Sequence, residues 1–214
     1  MPRTRIKICG LTREEDVDAV VAAGADAVGF VFFERSPRHL TVERARALVR
    51  RVPPFVTRVG LFVNPDPTYL DSVVSSVELD LLQFQGDEAG DFCEQLGRPY
   101  LKVARMKAGI DLVEFARDYP SARGLLLDTY VESYGGSGKV FDWSLVPRHL
   151  PVPIVVAGGL TAANVATVIL QLSPSGVDVS SGVEAAKGIK DAAKIAAFVA
   201  AVNTADADKQ LQPA

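Results

Sequence analysis

At 214 residues, with 48% hydrophobic and 23% charged side chains and a net charge of −3, the chain suits one medium domain that buries roughly 70% of its unfolded surface. The mild acidity and the lack of a basic cluster exclude a nucleic-acid surface, and no apolar run approaches the ~20 residues that would span a bilayer. Cys9, Cys93, His39 and His149 stand at no metal-like spacing, which argues against a zinc site or a disulfide framework, and with no charged-then-apolar leader ahead of Ile6 a cytoplasmic location is expected.

Apolar runs and amphipathic stretches alternate from one end of the chain to the other. A strand is predicted at 5–9, then a helix at 13–23, a strand at 27–32 and a helix at 41–51. Strands at 56–62 and 80–84 follow, with helices at 67–76 and 88–96. The second half continues with strands at 100–105, 124–128, 153–157 and 176–180 and helices at 109–117, 143–149, 161–171 and 190–202. Thr12-Arg-Glu-Glu15 reads as a capping box, Thr41 and Thr161 as N-caps, and Gly24 and Gly97 as helix stops. The closing "TADADKQLQPA" is polar and short of large apolar residues, so residues 1–204 are expected to form the domain and 205–214 a frayed tail.

Eight strand-then-helix units point to a small (β/α)8 barrel. A doubly wound sheet usually shows a Gly-rich fingerprint after its first strand, and "CGLT" at 9–12 is not one. "YGGSGKVF" at 134–141 is neither a P-loop, since Val follows its lysine, nor a nucleophile elbow, since Lys139 holds the last glycine position.

In a barrel, the loops after strands seven and eight often form a phosphate site. Strand seven ends with Gly158 and Gly159, and strand eight with Ser180, Ser181 and Gly182, the last three ahead of a short helical turn. Glycines let backbone N–H groups approach a ligand closely, and helix starts favour an anion. Ring closure would then place this site between the ends of strands six and one, which finish at Asp128 and Cys9. A thiol and a carboxylate flanking a sugar phosphate suit general acid–base work, the cysteine as thiolate and the aspartic acid in its protonated form. Lys7 lies one layer below Cys9 on the same face, and Asp178 has the same inward parity on strand eight. A buried Lys7–Asp178 pair accounts for both charges; a Schiff-base lysine is the alternative.

"KICGLT" at 7–12, "FFERSPRHL" at 32–40, "LLLDT" at 125–129, "AGGL" at 157–160 and "VDVSSGVE" at 177–184 together resemble the phosphoribosylanthranilate isomerase family of tryptophan biosynthesis. The likeness runs from about Ile6 to Val202. It implies an Amadori rearrangement of N-(5-phosphoribosyl)anthranilate without a cofactor or metal. Asp128 would protonate the furanose ring oxygen, Cys9 would remove the C2′ proton, Asp178 would orient sugar hydroxyls, and Arg38 would bind the anthranilate carboxylate. Gln85, in "LQFQGDE" at 82–88, stands where histidine is common in the family; an amide still donates a hydrogen bond but cannot change charge. The Gly-rich segment at 129–143 is expected to act as a flap over the sugar. The expected partner is a small phosphorylated substrate, with no nucleic acid or membrane, and the chain as a monomer or homodimer. Two rivals remain: a related aminoaldose-phosphate isomerase, disfavoured because "GLFVNPD" at 60–66 lacks a second Gly pair, and a non-catalytic sugar-phosphate-binding barrel.

Overall fold

The computed structural model describes residues 3–129, 140–147 and 149–211. Eight parallel strands close into a barrel in sequential order. They are β1 (Arg5–Cys9), β2 (Ala27–Val31), β3 (Thr57–Phe62), β4 (Leu81–Phe84), β5 (Tyr100–Met106), β6 (Leu125–Thr129), β7 (Ile154–Val156) and β8 (Gly176–Val179). Helices α1 (Glu14–Ala22), α2 (Val42–Val49), α3 (Pro67–Ser76), α4 (Gly90–Glu94), α5 (Leu112–Arg117), α6 (Val165–Leu172) and α7 (Ala192–Leu211) wrap the outside. A two-stranded hairpin, β9 (Glu184–Ala186) with β10 (Ile189–Lys190), follows β8. Barrel closure is made by β1 against β8, with Lys7 opposite Asp178. No helix among the described residues is long and apolar enough to cross a membrane.

Alternation sorts the strands. In β1, β2, β4 and β6 one set of apolar residues faces the helices and joins the main core, including Ile6, Ile8, Phe30, Phe84 and Leu127. A small second cluster, Val103, Leu126 and Ala157, stands apart from that core. Cys93 lies in the main core, where burial pushes its thiol up to about 12, which leaves it chemically silent.

Four local expectations give way. Thr12 does not close a capping box: Arg13 is the N-cap of α1, and Thr12 Oγ1 instead donates to Gly188 O at 2.5 Å. The helix expected at 143–149 is a single 3-10 turn, Trp143–Leu145, followed by extended Val146, because Pro147 disfavours helical geometry in the residue before it. Thr161 is not the cap of α6; a turn intervenes, Asn164 Oδ1 accepts from Thr161 N, and the helix starts at Val165. The frayed tail is overturned over 205–211, where α7 continues to Leu211 with Ala205 and Asp206 buried. Thr41 does cap α2, accepting from Arg44 N. The flap expectation falls mainly on 130–139, outside the described residues.

The end of α7 is held by a polar lock rather than an apolar stripe. Asp206 accepts from Thr4 N at 2.6 Å and Thr4 Oγ1 at 2.7 Å, tying the C-terminal helix to the entry of β1. Asp206→Ala leaves both buried donors unsatisfied and is expected to cost about 1–3 kcal/mol, read as a lower urea midpoint; an unchanged midpoint would show that the lock is idle.

Candidate active site

The C-terminal ends of the strands surround an open cleft whose lining includes Cys9, Arg38, Asp128, Gly158, Gly159, Asp178, Ser180, Ser181 and Gly182. Nine side chains and glycines singled out from sequence, spread from residue 9 to 182, thus converge on one cavity.

The β7 and β8 loops form its glycine-rich side. Gly158 and Gly159 both adopt positive φ, 81° and 65°, and a Cβ at Gly158 would collide with the backbone N and Oγ1 of Thr129. Gly182 packs so closely on Leu160 O that no side chain fits there. Ser181, Gly182 and Val183 form a 3-10 turn. Behind them lies Lys190, whose Nζ donates to Ser180 O at 3.0 Å and Ser180 Oγ at 3.2 Å. Backbone N–H groups freed at such turns, with a cation behind them, form an anion-binding concavity.

Across the cleft, Asp128 is half-buried at the end of β6. Gln85 Nε2 donates to its Oδ2 at 2.7 Å and Thr129 N to its Oδ1 at 2.8 Å. Burial is the largest influence and the Asp178 charge adds to it; against the Gln85 and Thr129 hydrogen bonds they raise the carboxyl to about 6. Cys9, 5% exposed, is pushed up first by burial, while Lys7 and, more weakly, Lys190 pull it down and Asp178 pushes it up.

Lys7 and Asp178 do pair, Nζ to Oδ2 at 2.9 Å, both nearly enclosed. Burial would lower Lys7, but the charges of Asp178 and Cys9 outweigh it and hold the ammonium above its ordinary value. Asp178 Oδ1 is buried without a hydrogen-bond partner. An acceptor left open beside a cleft is suited to a ligand hydroxyl.

Sequence reasoning missed the partner of Arg38. Its Nε and Nη2 donate to Glu184 Oε1 and Oε2, both at 2.7 Å, and Glu184 also accepts from Lys190 Nζ at 3.0 Å. Burial raises Glu184, yet Arg38 and Lys190 hold it below the usual carboxylate range. Burial lowers Lys190, with Glu184 opposing. Two cations against one carboxylate leave a single positive charge, and the bidentate pairing leaves Arg38 Nη1 for a second anion. Glu184 and Lys190 meet because they are register partners in the β9–β10 hairpin. The available signal was Gly188, with φ 77°, in "VEAAKGIK" at 183–190, a glycine between two short strands.

Known proteins resemble the chain over nearly its whole length. Residues 6–201 match the family described as N-(5'phosphoribosyl)anthranilate (PRA) isomerase. The N-(5'-phosphoribosyl)anthranilate isomerase of Dechloromonas aromatica is 60% identical over 95% of this chain and 98% of its own. The crystal structure of phosphoribosyl anthranilate isomerase from Thermotoga maritima superposes with a TM-score of 0.87 at 41% identity, over 94% of this chain and 99% of that one. A phosphoribosyl anthranilate isomerase solved in complex with reduced 1-(o-carboxyphenylamino)-1-deoxyribulose 5-phosphate superposes at 0.82 with 38% identity, over 94% and 99%. A closed eight-stranded barrel, a shared cleft at its strand ends and these matches over nearly the whole length lead to one conclusion: the chain belongs to the N-(5'-phosphoribosyl)anthranilate isomerase family.

Proposed function

We propose that the chain carries out its family's reaction, the Amadori rearrangement of N-(5-phosphoribosyl)anthranilate to 1-(2-carboxyphenylamino)-1-deoxyribulose 5-phosphate, with Asp128 as general acid and Cys9 as general base. Asp128 gives a proton to the furanose ring oxygen as the C1′–O bond breaks, and the anthranilate nitrogen forms the Schiff base. Cys9 thiolate then takes the C2′ proton, the released pair forms C1′=C2′ as the C1′=N⁺ pair returns to nitrogen, and the enol becomes the C2′ ketone as C1′ gains a proton and the C2′ hydroxyl gives one up. The phosphate sits against Gly158, Gly159, Ser180, Ser181 and Gly182, the carboxylate on Arg38, and Asp178 Oδ1 accepts from a sugar hydroxyl.

The observation that carries this reading is the placement of one acid and one base in a cleft that also holds a glycine-rich anion cradle and an arginine. The compound bound by the structural relative likewise joins a carboxyphenyl group to a sugar phosphate. Purified protein is expected to abolish the fluorescence of phosphoribosylanthranilate as it turns over; a well-folded chain that leaves the signal unchanged would sink the reading. Arg38→Ala should raise KM at least about tenfold, the equivalent of one lost charge-assisted hydrogen bond. Arg38→Lys should recover little of it, because an ammonium cannot hold Glu184 and a second carboxylate in one plane.

A further inference from the structure

Gln83 is a polar residue on the inner face of β4, 1% exposed, where burying an amide costs stability unless its groups are bonded. Its Nε2 donates to Gln85 Oε1 at 2.8 Å, and Gln85 Nε2 donates to Asp128 Oδ2 at 2.7 Å. The carbonyl Oε1 of Gln83 is buried with no partner. An apolar side chain would leave no such orphan, so packing gives no reason for an amide at this position.

The direction of the relay follows from its end point. An ionised carboxylate can only accept, so Gln85 must turn its NH₂ toward Asp128 and its carbonyl away. That carbonyl then needs a donor, and Gln83 supplies it. We propose that Gln83 is a positioning residue for the isomerase reaction: by donating to the Gln85 carbonyl it locks that amide with its NH₂ on Asp128, and thereby sets how readily the acid holds its proton.

The proposal rests on Asp128 as the acid. Among the described residues, the charged groups that act on Asp128 include Lys7 from β1 and Asp178 from β8. Arg105, its register partner on β5, is paired with Asp87. None of these touches Gln83 among the hydrogen bonds described, so removing the Gln83 donor leaves them in place. A hydrogen bond to the charged form favours that form. Without the lock, Gln85 is free to turn its carbonyl toward the carboxylate, and Asp128 keeps its proton to higher pH.

The test follows the Asp128 carboxyl carbon by NMR in the ligand-free protein as pH is varied, for the native chain, Gln83→Met, Gln85→Leu and the double variant. Gln83→Met and Gln85→Leu should each move the midpoint upward by about 0.5–1 in pH, the worth of one hydrogen bond. The double variant should move no further than Gln85→Leu, because Gln83 acts only through Gln85. The acid limb of kcat/KM should move in step; the substrate phosphate also titrates near pH 6, but identically for every variant. An unmoved midpoint in Gln83→Met, or shifts that add in the double variant, overturns the proposal. Should Gln83→Met fail to fold, the native protein still decides: the Gln83 side-chain NH₂ resonances, which reach Asp128 only through Gln85, must titrate with Asp128, and resonances that ignore pH refute the relay. Failure of the acid assignment itself would appear separately, as Asp128→Asn turning over normally while the NMR midpoints behave as stated.

Discussion

Asp128→Asn and Cys9→Ala are each expected to lower kcat by about 10²–10⁴-fold, the usual worth of a positioned proton donor or acceptor. With the proposed acid and base roles, their environments set what pH does to both groups. Burial raises Asp128 to about 6, so at neutral pH most of it is ionised. Burial also raises Cys9, so it rests as a thiol. The proposed roles require the opposite assignment, a protonated Asp128 beside a thiolate, so the competent form would be a minor fraction of the enzyme. That fraction is constant between the two titrations. It falls about tenfold per unit below pH 6, where both groups hold protons, and falls again where both have lost them. A kcat/KM profile flat across neutrality and declining below about 6 is therefore expected, and a profile that rises on acidification would exclude the pair.

The same burial has a stability consequence. A carboxyl whose folded value is raised contributes its stability below its ordinary value near 3.8 and loses it as pH climbs through about 6. Above pH 7 the ionised Asp128 therefore costs the fold at most about 3 kcal/mol relative to its neutral form. Asp128→Asn should consequently be more stable than the native chain above pH 7 and no more stable below pH 4, measured by urea unfolding at both. Lost activity with gained stability would separate this residue from one that merely holds the loop.

Much of this site was legible because a buried parallel strand has strict two-residue parity. Lys7 and Cys9 had to share a face, Asp178 had the same parity on β8, and closure of the barrel brought them together. The eight strands were readable for the same reason, since each is a short apolar run bounded by turn residues. What was not legible depended on partners distant in sequence. Thr12 is committed to Gly188 O rather than to its own helix, and Asp206 secures the end of α7 through Thr4, so a composition that reads as a tail is helical instead. Glu184 looked like one more residue after a glycine turn; only the hairpin that pairs it with Lys190 makes it the anchor of Arg38. Gln83 and Gln85 carried a signal, an amide on an inward position next to a rim glutamine, but the direction of their hydrogen bonds is set by Asp128, 43 residues beyond Gln85.

Lys7→Met is expected to destabilise the fold by roughly 3–5 kcal/mol, the cost of leaving a buried charge without its partner. Lys7 Nζ lies 2.9 Å from Asp178 Oδ2, and the two side chains are 6% and 8% exposed, so water cannot take over from the lost cation. The double variant Lys7→Met/Asp178→Leu removes both charges and should regain most of the stability, since an apolar pair of similar volume is often neutral or better. It should not regain turnover. Lys7 is the strongest charge lowering Cys9, and Asp178 Oδ1 is the open acceptor beside the cleft; both are gone. A single variant within about 1 kcal/mol of the native chain would place the pair among ordinary exposed ion pairs, and a double variant with native turnover would show that the barrel keeps these charges for folding. The expected combination, stability restored and activity absent, identifies a buried ion pair retained at the strand ends for the chemistry above it.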